Sequence, residues 1–317
     1  MKVKFILYIV LISNLFSESI FPGEFGEDLK TMIASNYKTS TTLGYNSARD
    51  IMYSEIDIKP GNQLTGVYSG YTITLDLSQD PSTNAYDQGI NCEHTWPQSL
   101  GAGSEPMKSD MHHLFPTKSN VNSSRGNDPF AESVDALTDK WYRNSSYIES
   151  IPTQFINEYA EKYNPSNQSD ERFEPREEQK GNTARAMVYF YTMYSDVAEN
   201  DFWELQKETL TEWNFIDAQD AEEISRTWEI ASYQQNKPNP FVLDPTLFDR
   251  IYFWQDIISG DINADRYLDV LDIVAIIGLI INQDSFSQES LYITDINQDN
   301  DLNVLDIVAL IQLIVGS

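Results

Sequence analysis

The spacing of hydrophobic and polar residues predicts a chain built mostly of helices. Helical periodicity or a helix cap marks six segments, at residues 25–38, 46–56, 152–163, 179–194, 201–213 and 217–234. Residues 67–77 instead alternate and are rich in β-branched and aromatic side chains, which predicts a strand or a hairpin. The pattern therefore indicates an α+β fold, rich in helices and with a small β component.

Two further apolar helices belong to a repeat near the C-terminus. In each copy, a loop with Asp or Asn at positions 1, 3, 5, 9 and 12 precedes the helix, which is the spacing of a calcium-binding loop. The loop residues are Asp261, Asn263, Asp265, Asp269 and Asp272 in the first copy, and Asp295, Asn297, Asp299, Asn303 and Asp306 in the second. We therefore predict a small all-α domain at residues 253–317 that binds Ca²⁺ at both loops. The alternative is a pair of acidic turns that hold no metal.

The first residues have the pattern of a secretory signal peptide. Lys2 and Lys4 precede an apolar run at residues 5–16, and small polar residues follow. The alternative is an uncleaved membrane anchor, but spanning a bilayer takes about 20 apolar residues and this run is shorter. We predict a signal peptide at residues 1–19, a main domain at residues 20–252, and export of a mature protein without a transmembrane segment.

Charge limits what the main domain can bind. The formal net charge is −28 at pH 7, which excludes a generally basic surface for gripping nucleic acid. A polyanionic substrate must therefore be held by a local patch and by bound cations. The single cysteine, Cys92, excludes an intrachain disulfide.

The candidate chemistry is concentrated in residues 91–130, which contain all three histidines of the chain. His94 follows Glu93, so a base that titrates near neutrality stands beside a hard oxygen ligand. Asn122, in a short helical segment of the same stretch, offers an amide oxygen suited to Mg²⁺ or Ca²⁺. Two alternatives are a zinc site formed by His94, His112 and His113, and histidines that only fill the core or the surface.

Three blocks of residues carry a family resemblance. They are Asn91-x-Glu93-His94-Thr95-x-Pro97-Gln98-Ser99 with Asp110-x-His112-His113 and Val121-Asn122-x-x-Arg125-Gly126-Asn127, then Phe173-Glu174-Pro175 with Lys180-Gly181, and finally Asn239-Pro240-Phe241. With the segment Val67-Tyr68-Ser69-Gly70-Tyr71 they cover roughly residues 27–252. They resemble the bacterial endonuclease I family, secreted or periplasmic non-specific nucleases built around a ββα-metal (His-Me) finger.

The resemblance implies a role for each matching residue. His94 would be the general base, and Glu93 and Asn122 would bind Mg²⁺, or Ca²⁺ or Mn²⁺ in its place. The supporting residues would be Asp110, His112 and His113. Some members of the family bind a phosphate with an arginine that lies between the Glu-His motif and the Asp-x-His motif. Here residues 98–109 lie between these motifs and contain no arginine. We therefore expect Arg125 or Arg185 to take that catalytic role.

The C-terminal repeat resembles a type I dockerin, in which two half-EF-hands bind a cohesin module. Arg266 and Asn300 stand where the loops usually have glycine. The pair at positions 10 and 11 of each loop is Val270-Leu271 or Val304-Leu305, whereas cellulosomal dockerins often have Ser-Thr. The resemblance implies a cohesin-like partner or another exported scaffold protein, with docking onto the main domain itself as the alternative.

Together, these features predict a secreted, divalent-metal-dependent endonuclease. It would hydrolyse phosphodiester bonds of DNA, and of RNA too, and the resemblance implies products with 5′-phosphates. The competing hypothesis is a calcium-dependent scaffold or adhesion component whose nuclease domain is inactive. The intact set of Glu93, His94 and Asn122 favours the enzyme.

Overall fold

A computed structural model describes residues 19–164, 170–282 and 286–316. The chain forms two compact units, one at residues 36–242 and a smaller one that joins the described residues before 36 to those after 242. Helices are combined with small antiparallel sheets, which agrees with the predicted α+β class. The predicted signal peptide lies almost entirely outside the described residues.

Helices and strands alternate irregularly along the chain. The helices are α1 Gly26–Tyr37, α2 Tyr45–Ile51, α3 Pro81–Asp87, α4 Ser119–Arg125, α5 Lys180–Met193, α6 Asn200–Glu204, α7 Lys207–Ile216, α8 Ala221–Tyr233, α9 Pro240–Leu243, α10 Leu247–Tyr252, α11 Val270–Asn282, α12 Gln288–Thr294 and α13 Val304–Gly316. The strands are β1 Ile58–Lys59, β2 Gln63–Thr65, β3 Thr72–Thr74, β4 Ile90–His94, β5 Leu114–Lys118, β6 Thr138–Arg143, β7 Ser146–Ile148, β8 Ala160–Tyr163 and β9 Arg172–Glu174. Among the described residues, no helix is long and apolar enough to cross a membrane.

The strands form three small antiparallel sheets in the larger unit. Their orders are β1-β2-β3, β4-β5 and β7-β6-β8-β9. The helix predicted at residues 152–163 is wrong, because this segment contains only a short 3₁₀ turn and then β8. All four residues of β8 are buried, and β8 pairs with β6 and β9 on its two edges. Tertiary pairing thus decides the conformation of a segment whose sequence has no strand alternation.

The strand that carries most of the candidate site lies on a hydrophobic core. Ile90 and Cys92 of β4 pack in one cluster with Ala48 and Met52 and with Leu114 of β5. On the C-terminal side of the strand, Trp96 is fully buried and stacks on Phe190 of α5, with ring centroids 5.0 Å apart. Close packing on both sides fixes the position of β4 before any ligand binds.

The smaller unit has its own core. Phe25 packs there with Ile276 of α11, Ile293 of α12 and Leu310 of α13. Its N-terminal segment is further tied by the buried Arg250, which donates to the carbonyl oxygen of Glu24. Residues 19–35 therefore belong to the same compact unit as the described residues after 242. The domain boundaries predicted at residues 20–252 and 253–317 stay a prediction.

Candidate active site

The candidate site is built from β4, β5 and α4, which contact one another. β4 and β5 pair antiparallel, with Glu93 opposite Phe115 and His94 opposite Leu114. α4 begins directly after β5 and ends before Gly126, whose φ of 60° is unfavourable for other residues. Two strands and a helix in this order place residues 91–94 beside residues 119–125.

Glu93 is buried between β4 and α4, and one of its oxygens is held in place. Its Oε1 accepts a hydrogen bond from the Tyr68 hydroxyl at 3.0 Å and another from Nη1 of Arg125 at 3.1 Å. Burial raises the pKa of Glu93 to about 7, although Arg125 and Tyr68 act to lower it. No hydrogen bond from the described residues reaches Oε2, so this oxygen keeps its lone pairs for another partner.

Asn122 of α4 contacts β4 next to Glu93. Its Nδ2 donates to Oδ1 of Asn91 at 2.9 Å and to the carbonyl oxygen of Cys92 at 3.1 Å. Both partners accept, which fixes the orientation of the amide. No donor among the described residues occupies Oδ1 of Asn122. Because Asn91 and Glu93 share one face of β4, and Asn122 and Arg125 are one turn apart on α4, these side chains meet.

The oxygens of Glu93 and Asn122 suit a cation that prefers oxygen and water as ligands. The described residues contain no group of three or more His, Cys, Asp or Glu side chains arranged to hold a metal ion. Glu93 and Asn122 would supply two oxygens and leave the remaining positions to water and substrate, as is usual for Mg²⁺ at phosphoryl-transfer sites. These residues therefore fit a magnesium-type ion better than zinc, which takes sulfur and nitrogen ligands in closed sites.

His94 lies on the opposite face of β4 from Glu93. Its Nε2 is 3.0 Å from the carbonyl oxygen of Lys108, which can only accept, so Nε2 carries the proton and donates. Nδ1 is then unprotonated, with the amide nitrogen of Gln98 at 3.4 Å. Burial, and then the charge of His113, lower the pKa of His94 to about 3. The imidazole is therefore neutral near pH 7, with a lone pair on Nδ1.

Asp110 and the two other histidines hold the loop that contacts His94. Asp110 is fully buried and accepts hydrogen bonds from the hydroxyls of Tyr189 and Tyr194, at 2.9 and 2.7 Å. Nε2 of His112 donates to the carbonyl oxygen of Lys237, and Nε2 of His113 to that of Met107. These bonds fix residues 107–113, including the Lys108 carbonyl. They give no support to the zinc alternative, because each histidine uses Nε2 on a carbonyl.

Arg125 holds Glu93 and the end of β4 in place. It is 1% exposed, and besides Glu93 it donates to the carbonyl oxygens of His94 at 3.2 Å and Thr95 at 2.8 Å. Its guanidinium also lies 4.4 Å from the ring centroid of Phe130. The contacts occupy it with protein oxygens, so the expectation that it grips phosphate has no support in this geometry.

Arg185 is not part of the candidate site. It is fully buried on α5, where it forms two bonds to the carboxylate of Glu223, at 2.8 and 2.6 Å, and donates to the carbonyl oxygen of Asp217. An arginine enclosed in this way cannot reach a substrate phosphate without unfolding its surroundings. The phosphate role expected for it likewise has no support.

Three residues of the site had no assigned role in the sequence-based prediction. Asn91 orients Asn122, Tyr68 orients Glu93, and Gln98 contacts Nδ1 of His94. All three lie inside the segments that carry the family resemblance, so the sequence already showed that they are close to the predicted site residues or in the same motifs. Their roles depend on which face of β4 each neighbour occupies, and the sequence motif does not contain that information.

Comparison with known proteins identifies one family and two relatives. The family model described as Endonuclease I matches residues 25–246, which include every residue of the site. An extracellular ribonuclease of Bacillus subtilis (strain 168) is 28% identical over 247 residues, which cover 73% of this chain and 76% of that protein. An extracellular ribonuclease of Bacillus amyloliquefaciens is 28% identical over 248 residues, covering 73% and 75%. The family match ends before the acidic repeat at residues 261–306.

The placement of Arg185 yields a stability prediction. Arg185→Met leaves Glu223 buried without its partner, so the free energy of unfolding should fall by about 3–5 kcal/mol, measured by urea denaturation. The double variant Arg185→Met/Glu223→Leu should be more stable than the single one, because no charge is then left unpaired. An Arg185→Met protein with unchanged stability and a raised KM for nucleic acid would instead show that Arg185 binds substrate.

Proposed function

The chain belongs to the Endonuclease I family, and from that premise we propose that it is an exported, divalent-cation-dependent endonuclease that cleaves both RNA and DNA. The observation that carries the proposal is the pair of free oxygens, Glu93 Oε2 and Asn122 Oδ1, beside a histidine with a fixed tautomer. The relatives named extracellular ribonucleases support export and RNA as a substrate. The order of β4, β5 and α4 supports a ββα-metal finger.

In the proposed site, Glu93 and Asn122 hold Mg²⁺, or Ca²⁺ or Mn²⁺ in its place. A bound divalent cation offsets charge on the phosphoryl oxygens and on the departing 3′ oxygen. The protein's own part is to keep the two ligands oriented: Tyr68 and Arg125 fix the Glu93 carboxylate, and Asn91 fixes the Asn122 amide. Glu93 stays ionised with a cation present, which counters the effect of burial on its pKa.

His94 is the proposed general base. Water attacks phosphorus, its proton passes to Nδ1 of His94, and the bond from phosphorus to the 3′ oxygen breaks. The departing 3′ oxygen takes a proton from solvent water, so the products are a 3′-hydroxyl and a 5′-phosphate. The Lys108 carbonyl holds the proton on Nε2 and so keeps Nδ1 available. Because water is the nucleophile, the reaction needs no 2′-hydroxyl, which is why DNA is included with RNA.

Loss of His94 tests the catalytic assignment. His94→Ala should lower kcat by a factor of about 10²–10⁴, the usual contribution of a general base, at any Mg²⁺ concentration. Asn122→Ala should instead raise the Mg²⁺ concentration needed for half-maximal cleavage. Asn120→Ala, an exposed asparagine on the same helix, is the matched control and should cleave like the wild type.

Cleavage of plasmid DNA and of a single-stranded RNA would be followed in Mg²⁺, in Mn²⁺ and in excess chelator. The proposal is wrong if His94→Ala cleaves as fast as the wild type. It is also wrong if the wild type cleaves neither substrate in any divalent cation.

A second proposal concerns the C-terminal repeat, which we infer binds two Ca²⁺ ions. The two loops have matching internal hydrogen bonds: Asp272 Oδ1 accepts from the backbone N–H of Ile262 at 2.8 Å, and Asp306 Oδ1 from that of Ile296 at 2.9 Å. At position 6, Arg266 and Asn300 both adopt positive φ, 71° and 68°. Burial, together with the charges of Asp272 and Asp265, raises the pKa of Asp261 to about 7. No three carboxylates of the described residues already meet at one point, so Ca²⁺ would draw the loop oxygens together as it binds.

The same module offers a surface for a protein partner. Val270 and Val274 on α11 are each 63% exposed, and the equivalent Val304 and Val308 on α13 are 64% and 47% exposed. Exposed apolar side chains at matching positions of two helices are typical of an interaction surface. We propose that this surface attaches the enzyme to an exported, cohesin-like scaffold protein.

Calcium stoichiometry tests the loop assignment. Isothermal titration of the chelator-treated full chain with Ca²⁺ should show one site fewer in Asp272→Asn than in the wild type, and two fewer in Asp272→Asn/Asp306→Asn, whether or not Glu93 and Asn122 also bind Ca²⁺. Asp301→Asn is the control, because position 7 of such a loop ligates through its backbone carbonyl. Equal binding by the double variant would contradict the proposal.

A further inference from the structure

Two cationic side chains lie beside the ring of Tyr45, which packs against His94. The centroids of the Tyr45 and His94 rings are 5.3 Å apart. The guanidinium carbon of Arg49 is 4.5 Å from the centroid of Tyr45, and Nζ of Lys108 is 5.3 Å from the same centroid. Arg49, Lys108 and the proposed base therefore all contact one aromatic ring.

Neither cation has an acidic partner within salt-bridge distance among the residues that the structure describes. Arg49 donates Nη2 to Oδ1 of Asn46 at 2.8 Å, and its Nε is buried with no partner in the described residues. Most other basic side chains among the described residues are paired with carboxylates, for example Lys59 with Glu222 and Arg143 with Glu158. Positive charge that carboxylates have not neutralised therefore stands next to His94.

Both cations are anchored on elements that do not depend on substrate. Tyr45 and Arg49 are four residues apart on α2, hence on one face of a helix that the buried Ala48 fixes to the core. The backbone carbonyl of Lys108 accepts the hydrogen bond from His94, so the base and the start of the Lys108 side chain have a fixed relation. Such preorganisation lowers the entropy cost of binding a ligand.

We propose that Arg49 and Lys108 form a binding site for a backbone phosphate of the nucleic acid next to the scissile bond. The inference rests on the proposed nuclease function and supplies the phosphate-binding cations that Arg125 and Arg185 do not provide. Phosphate is the ligand of choice because a guanidinium with an unused donor and a partly exposed ammonium form charge-assisted hydrogen bonds with its oxygens. Such contacts hold any sequence, which suits an endonuclease of low specificity.

The test measures binding and turnover separately. Arg49→Met and Lys108→Met should each raise KM for a single-stranded oligonucleotide about tenfold, the low end for a charge-assisted hydrogen bond, and leave kcat within about threefold. The slope of log KM against log salt should fall by about 1 for each phosphate that a variant no longer binds. Arg49→Lys keeps the charge, so its slope of log KM against log salt should stay close to that of the wild type.

Lys207→Met is the matched control, since Lys207 carries the same charge and is paired with Glu204 on the protein surface. Its KM should stay within about twofold of the wild type, which excludes an effect of net charge alone. Arg49→Met could unfold α2, which a lower melting temperature would show. In that case the partly exposed Lys108 gives the test, because Lys108→Glu should raise KM more than Lys108→Met does.

The outcomes separate this inference from the function on which it rests. An active wild type, together with an Arg49→Met/Lys108→Met variant whose KM and salt slope are unchanged, overturns the phosphate site and leaves the nuclease assignment standing. A wild type that cleaves no nucleic acid in any divalent cation overturns the nuclease assignment and this site with it.

Discussion

The buried ion pair between Arg125 and Glu93 is the interaction on which the candidate site depends. A single guanidinium binds the Glu93 carboxylate and the carbonyl oxygens of His94 and Thr95, so it fixes the end of β4 to α4. Burying two charges costs several kcal/mol per ion unless further hydrogen bonds and good geometry offset it. The Tyr68 hydroxyl contributes one such bond. The result is a carboxylate with one oxygen held and the other available.

The alternation of β4 divides the chemistry between two faces. Asn91 and Glu93 point towards α4, where we propose that a cation binds, whereas His94 points towards Tyr45 and the loop that contains Lys108. Each face is organised by its own set of buried hydrogen bonds. The reacting phosphate would lie where the strand ends, because the last two residues of β4 can reach it there from opposite faces.

Local spacing was sufficient to propose the reactive residues. Glu93, His94 and Asn122 stand in a recognisable motif, and helical periodicity predicted α5 and α8 within a few residues. The β8 strand could not be predicted in this way, because its residues 160–163 lack alternation and only pairing with β6 and β9 makes them a strand. The phosphate roles expected of Arg125 and Arg185 lack support for a related reason. Burial and partner choice are tertiary properties, and a sequence shows an arginine without showing what encloses it.

The strong negative charge fits the same picture. A chain with a net charge of −28 cannot hold nucleic acid through its overall field, so substrate binding must come from a few placed cations. The acidic repeat of the smaller unit would be neutralised separately by its own ions. Catalysis and attachment would then both depend on divalent cations, at sites of different design.

The most direct test of the central claim is the chemistry of the product ends. A 5′-labelled RNA and a DNA of the same sequence would be cleaved by the wild type in Mg²⁺, and the ends identified by mass spectrometry. Attack by water activated at His94 predicts 5′-phosphates and 3′-hydroxyls from both substrates. Products with 2′,3′-cyclic phosphates from RNA, together with intact DNA, would contradict it.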